Sequence, residues 1–248
     1  MSKFPELGEA IDISIPLRFN GPQPNAFGVE PATAKPLGDT RVGSSVNFEQ
    51  YTFTPHCNGT HTECVGHITN ERISVRDCLQ DVIVPAVLVS VEPVSAEAIG
   101  KDLLIARNAL KENLDSFGST NPHSALIVRT LPNDDGKLTR EYGSDNIPPY
   151  FTTEAMEYIV ECGFKHLLVD TPSIDRLFDD GKLTNHRIFW NIEPGSFEVN
   201  TSTRINGTIT EMIYVPNEIE DGEYLLNIQI APFEADCSVS RPVLIKNS

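Results

Sequence analysis

The apolar residues of this chain fall mostly in short β-branched runs and only twice in helical stripes. Positions 11–16, 82–91, 125–130, 167–170, 209–215, 224–230 and 242–245 each carry a run of strand length, and strands are predicted there. Helical spacing is clearest over 153–162. A threonine opens that stretch, Glu154 sits in its first turn, Ala155, Ile159 and Val160 fall on one side, and Gly163 ends it. A second helix is predicted over 95–113, where Ala96, Ile99, Leu103, Ala106 and Leu110 recur at steps of three or four. The first helix runs directly into a strand ending at Asp170, an order that predicts an α/β layer. Asp221-Gly222 is a predicted hairpin turn. The segment 20–45 opens with Gly21-Pro22-Gln23-Pro24-Asn25 and reads as a lid, or as an arm toward a partner subunit with Phe27 and Leu37 as apolar anchors.

Composition narrows the function. The 248 residues carry 19 basic and 35 acidic side chains, a net charge of −16, which repels a phosphate backbone and an anionic lipid surface. Nucleic acid and membrane are therefore excluded as partners, and a small-molecule substrate is expected. With 40% hydrophobic and 22% charged residues, the chain is expected to fold as one domain over 1–248. No run approaches the ~20 apolar residues of a membrane span, and the N-terminus lacks the apolar stretch of a secretion signal, so a cytoplasmic location is expected. Five cysteines, an odd number, read as reduced thiols.

Chemistry concentrates in one segment. Three of six histidines lie within His56-Cys57-Asn58-Gly59-Thr60-His61-Thr62-Glu63-Cys64-Val65-Gly66-His67. If the backbone is extended here, residues two apart share a side, and Cys57, His61, Glu63 and His67 face one point. That set offers a thiolate, an imidazole and a carboxylate for a metal, with one histidine left for proton transfer. Gly59 is expected to let the backbone fold tightly enough for Cys57 to join. His56 falls out of register and reads as a solvated or hydrogen-bonded histidine. Cys64 reads as a small buried hydrophobe.

This segment resembles the signature His-x-Gly-Thr-His-x-Asp-x-Pro-x-His of the metal-dependent hydrolase superfamily that includes kynurenine formamidases, isatin hydrolases and proteins called putative cyclases. Gly59, Thr60, His61 and His67 match it, whereas Cys57, Glu63 and Val65 replace its first histidine, its aspartate and its proline. The resemblance extends to the strands at 11–17 and 125–130 and to Val169-Asp170-Thr171-Pro172-Ser173-Ile174-Asp175, similar to the second motif of that group. It implies a site histidine at His186 and a last metal-binding glutamate at Glu211, with Glu193 and Glu198 as rivals because the intervening stretch is long. Asp170 and Asp175 read as turn residues that shape the site. His123 and His166 read as structural, and Trp190 either lines an aromatic pocket or packs.

The implied fold class is α/β: a single compact domain with a mixed, barrel-like β-sheet flanked by helices, of the swivelling β/β/α type. A homodimer or higher homo-oligomer is implied as well. The implied activity is hydrolysis of a small amide, N-formyl compound or cyclic amide by metal-activated water, with His67 as acid/base. Cys57, His61 and Glu63 are expected to hold a divalent metal, with Glu63 bridging to a second ion on His186 and Glu211. One or two ions are expected, zinc first because a thiolate is soft, and manganese second. The alternative is a member of the same fold that has lost the metal and binds a ligand, or senses redox state through Cys57 and Cys64.

Overall fold

The computed structural model describes residues 8–81, 83–95, 102–117 and 124–246. In chain order the elements are β1 (Ala10–Asp12), β2 (Thr33–Gly38), β3 (Phe48–Thr52), α1 (Pro55–Asn58), β4 (His61–Glu63), α2 (Val75–Cys78), β5 (Val84–Val91), β6 (Val94–Ser95), β7 (Leu103–Ile105) and α3 (Arg107–Leu114). They continue with β8 (Ala125–Thr130), β9 (Tyr150–Phe151), α4 (Thr153–Glu161), β10 (His166–Val169), α5 (Thr184–Trp190), β11 (Thr208–Glu211), β12 (Gly222–Asn227), β13 (Cys237–Val239) and β14 (Val243–Lys246).

Nine strands form one mixed sheet in the order β1-β14-β12-β5-β8-β10-β11-β4-β13. The centre, β5-β8-β10-β11, is parallel, and the strands on both flanks are antiparallel. The central strands read as continuous apolar runs because both of their faces are buried. On β5, Val87, Val89 and Val91 face the side covered by α3, α4 and α5, where Leu110, Met156, Ile159, Phe189 and Trp190 pack. Ala86 and Leu88 alternate to the other side and meet Ile213, Tyr224, Leu226 and Leu244, so the sheet curls over its own second face into a half-barrel. The domain is thus a single compact α/β unit with helices flanking a curled mixed sheet.

The central-strand and α4 predictions meet the structure closely, the runs 11–16 and 209–215 form strands only over Ala10–Asp12 and Thr208–Glu211, and four further local expectations change. The predicted helix over 95–113 is a strand at Leu103–Ile105 followed by the shorter α3, and its portion 96–101 lies outside the described residues, as does His123. The helical spacing misled there because two short elements in series share those apolar positions. Asp221-Gly222 makes no hairpin: Gly222 opens β12, which pairs with β5 and β14, and Asp221 accepts hydrogen bonds from Ser90 and from the buried Arg129. Segment 20–45 is only partly loop, since β2 pairs with β3 in a hairpin that leaves Leu37, Val46, Phe48 and Tyr51 exposed. Residues 56–67 are not one extended strand, for only His61–Glu63 is extended, between the turn of α1 and a 3-10 helix over Val65–Ile68. Among the described residues no helix is long and apolar enough to cross a membrane.

Candidate metal centre

Strand pairing assembles the site. In the antiparallel pair β4–β11, His61 stands directly opposite Glu211, and directly opposed residues point to the same face. Glu63, two residues along, shares that face. The ligand atoms of His61, Glu63 and Glu211 lie within 4.8 Å of one another, and all three residues are buried. The Gly59 carbonyl accepts a hydrogen bond from Nδ1 of His61 at 2.9 Å, which turns Nε2 toward Oε2 of Glu211 at 3.3 Å. That Nε2 has no hydrogen-bond partner. The amide of Ile174 fixes Oε1 of Glu211 at 2.9 Å.

Helix α5 brings His186 over this face. Its Nε2 lies 3.0 Å from Oε1 of Glu63 and 3.8 Å from Oε1 of Glu211. Its Nδ1 donates to Asp175 at 2.7 Å, and Asp175 is held in turn by the amides of Asn185 and His186. This carboxylate–histidine pairing fixes a ring for metal ligation by its other nitrogen. Asp175 therefore supports a site residue, while Asp170, its partner in the same motif, is structural: it forms a buried ion pair with Lys137 at 2.8 Å.

On the opposite side of Glu63, Nε2 of His56 lies 3.6 Å from its Oε2 and 3.1 Å from Oδ2 of Asp236. Nδ1 of His67 lies 3.9 Å and 3.4 Å from the same two oxygens. His56 joins the site because Pro55 opens a helical turn, which rotates the residue away from the register an extended chain would give it. Asp236 arrives through β13, which pairs with β4 so that Cys237 stands opposite Glu63. Nothing in the local sequence around Asp236 signals this, since the contact spans 169 residues to His67.

Cys57 belongs to neither group of converging ligand atoms among the described residues. Burial first, and the charge of Glu211 second, push its thiol up to about 11. Gly59 is extended, with φ of 163°, and an added Cβ would meet only ordinary contacts, so glycine's conformational freedom does not build this turn. Gly66 is the position that needs glycine, because a Cβ there would collide with the Ile73 carbonyl. Of the three glutamates considered, only Glu211 reaches the site: Glu193 and Glu198 are exposed, and Glu198 accepts from Asn70. Trp190 packs fully buried and donates to the Gly207 carbonyl. His166 is bonded to Thr208 and Asp81. Cys64 packs with Val75 and Cys78 in a separate apolar cluster, and none of the described cysteines forms a disulfide. A groove of about 830 Å³ between α4 and α5, lined by Val160, Lys182, Arg187, Ile192 and Phe197, contains none of these histidines.

The electrostatics are those of groups crowded without a cation. Burial would raise the Glu63 carboxyl, but the imidazoles of His67, His186 and His56 outweigh it and hold it well below the usual range. Burial would lower His186, yet Asp175 and Glu63 lift it well above 6.5. Burial likewise opposes His61, which Glu211 raises. The imidazoles of His56 and His67 beside it hold Asp236 well below the usual carboxylate range.

The donor set fits a divalent ion. In a tetrahedron with ligands about 2.0–2.1 Å from zinc, ligand atoms are about 3.3 Å apart. The separations of 3.0, 3.3 and 3.8 Å around His61, His186, Glu63 and Glu211 fall around that length. Nitrogen and carboxylate donors are those that borderline divalent cations take, and the unpartnered Nε2 of His61 is an uncommitted ligand atom.

A curled α/β half-barrel with a buried histidine–carboxylate cluster at the junction of β4 and β11 defines the class. The chain belongs to the Putative cyclase family, whose model matches residues 11–176. It is similar to a kynurenine formamidase of Bacillus cereus, with 27% identity over 241 residues covering 95% of this chain and 97% of that protein. A kynurenine formamidase of Bacillus thuringiensis matches with 27% identity over 245 residues, again covering 95% and 97%. Among solved structures, isatin hydrolase A of Labrenzia aggregata superposes with a TM-score of 0.67 at 13% identity, covering 97% of this chain and 94% of that one. A structure described as a novel cyclase gives 0.68 at 14%, covering 96% and 87%. At these identities the two structures speak for the shared fold.

Proposed function

We propose that the chain is a metal-dependent amide hydrolase acting on small aryl formamides or cyclic amides. The observation that carries this reading is the convergence of His61, Glu63 and Glu211, with His186 as the next donor, in a buried cluster whose separations suit a cation. The names of the relatives, kynurenine formamidase and isatin hydrolase, support the substrate class. His61, Glu63, Glu211 and His186 would hold a divalent ion, zinc in our assignment, which would supply Lewis acidity to make water nucleophilic near neutral pH and to polarise a carbonyl oxygen.

The chain's own residues do the rest. Gly59 and Asp175 hold the rings of His61 and His186 in the tautomer that aims Nε2 inward. His67 is about a quarter exposed, with Nδ1 turned to Asp236 and Glu63, so Nε2 is the ring atom free for proton exchange. It takes a proton from the attacking water and returns one to the departing nitrogen, so that an amide and water become an amine and a carboxylic acid. Cys57 stands at the edge of the cluster. Its thiol is proposed as an additional donor once a cation displaces its proton.

The test is turnover of the zinc-loaded full chain on a panel of aryl formamides, isatin and unrelated esters, with bound metal measured in parallel. Amide hydrolysis that falls strongly in His67→Ala, with the ion of the His61–Glu63–Glu211 cluster retained, supports the reading. Retained metal with no amide turnover overturns it in favour of a ligand-binding protein. Cys57→Ala is expected to weaken zinc binding, and an unchanged affinity would remove Cys57 from the centre.

A further inference from the structure

The second group of side chains around Glu63 has a use of its own. His56 and His67 stack with ring centroids 4.6 Å apart and planes 29° from parallel. Both rings turn a nitrogen toward the same two oxygens, Oε2 of Glu63 and Oδ2 of Asp236, at 3.1, 3.4, 3.6 and 3.9 Å. Nε2 of His56 finds no hydrogen bond of acceptable geometry although Asp236 is near. These four separations again bracket the ~3.3 Å edge of a tetrahedral zinc site. The ligand atoms of His56, Glu63 and His67 lie within 4.8 Å of one another, and Asp236 adjoins both rings from outside that group.

Glu63 makes this possible by facing both ways. Its Oε1 meets His186 on the inner side, and its Oε2 meets His56 and His67 on the outer side. The outer group is also the wetter one: the side chains of His56, His67 and Asp236 are 26%, 28% and 30% exposed, against 1% for Glu63. We propose that His56, His67 and Asp236, with Oε2 of Glu63, form a second cation site on the solvent side of the His61–Glu211 cluster and take a zinc-class divalent ion. Coordination of His67 through Nδ1, the nitrogen nearest the carboxylates, would leave the ring hydrogen on Nε2, so His67 can accept a proton from water only while this outer site holds no ion. The site stands on its own donors and does not require the inner cluster to hold an ion.

The experiment is zinc stoichiometry. The full-length protein and its variants are dialysed against excess zinc and then against metal-free buffer, bound zinc is measured by mass spectrometry, and circular dichroism checks the fold. His56→Ala and Asp236→Asn are each expected to lose about one equivalent relative to the unmodified chain, while His61→Ala keeps that equivalent and loses the inner one. Zinc lost in His61→Ala but unchanged in both outer variants overturns the outer site and leaves the proposed hydrolytic centre standing. Zinc kept in His61→Ala but lost in the outer variants supports the outer site and overturns the inner one. An unmodified chain that holds no zinc overturns both. Should His56→Ala fail to fold, cobalt(II) titration of Asp236→Asn replaces it: loss of one set of visible bands supports the proposal, and an unchanged spectrum overturns it.

Discussion

Asp175→Asn tests the inner cluster through a residue that touches no cation. Asp175 uses both oxygens: Oδ1 accepts from the amide of Asn185 at 2.8 Å, and Oδ2 accepts from Nδ1 of His186 at 2.7 Å and from its amide at 3.2 Å. An asparagine must place its NH2 against one of these donors. If the NH2 replaces Oδ1, the Asn185 amide is stranded in a buried position, at a cost of about 1–3 kcal/mol. If it replaces Oδ2, His186 must switch tautomer and carry its hydrogen on Nε2, facing Glu63 where a lone pair is needed. Loss of such an orienting carboxylate typically weakens metal binding by roughly 10–100-fold, equivalent to about 1.4–2.7 kcal/mol. Isothermal titration of the full chain with zinc reads this directly. An Asp175→Asn protein with native circular dichroism and a zinc affinity within about threefold of the unmodified chain would refute the role given to this pair.

Lys137→Met removes one partner of the buried ion pair with Asp170, leaves the carboxylate uncompensated, and is expected to cost about 3–5 kcal/mol. In a chain of this size that corresponds to a melting temperature lower by roughly 6–20 °C, and an unchanged calorimetric transition would contradict it. Stability should also depend on pH differently with and without zinc. In the metal-free chain the raised His186 and His61 stabilise fully below their ordinary value of 6.5, and that contribution is lost as pH rises through their folded values. The depressed Glu63 and Asp236 stabilise above the ordinary carboxylate range and lose their contribution as pH falls. Metal-free melting temperature should therefore peak between about pH 5 and 6.5 and decline toward pH 9, and zinc should abolish the alkaline decline. A metal-free curve flat from pH 6.5 to about 9 would count against the raised histidines. For assembly, sedimentation of the full chain is expected to give a dimer, and Leu37→Ser with Phe48→Ser on the exposed β2–β3 hairpin to give a monomer. An unmodified chain that sediments as a monomer would end that expectation.

The sequence by itself determined the layered α/β architecture. Continuous β-branched runs of strand length suit central strands covered on both faces, the stripe at 153–162 has one face to bury, and the family resemblance implied the curled mixed sheet that joins them. It also exposed the ligand-rich segment, because side chains such as His61 and Glu63 at that density do not serve packing. Tertiary structure decided which of those side chains meet. His56 enters the site through a proline-initiated turn that hydrophobic pattern does not encode, and Cys57 stands outside the convergent groups because its neighbours are not extended. Glu211 was separated from Glu193 and Glu198 only by the strand register that sets it opposite His61. Asp236 could not be read at all from its surroundings, since its partners lie more than 160 residues away and meet it only where β13 closes on β4. Local pattern fixes which side chains a strand offers to a face, whereas the pairing of distant strands sets which faces meet, and a site that spans several strands depends on both.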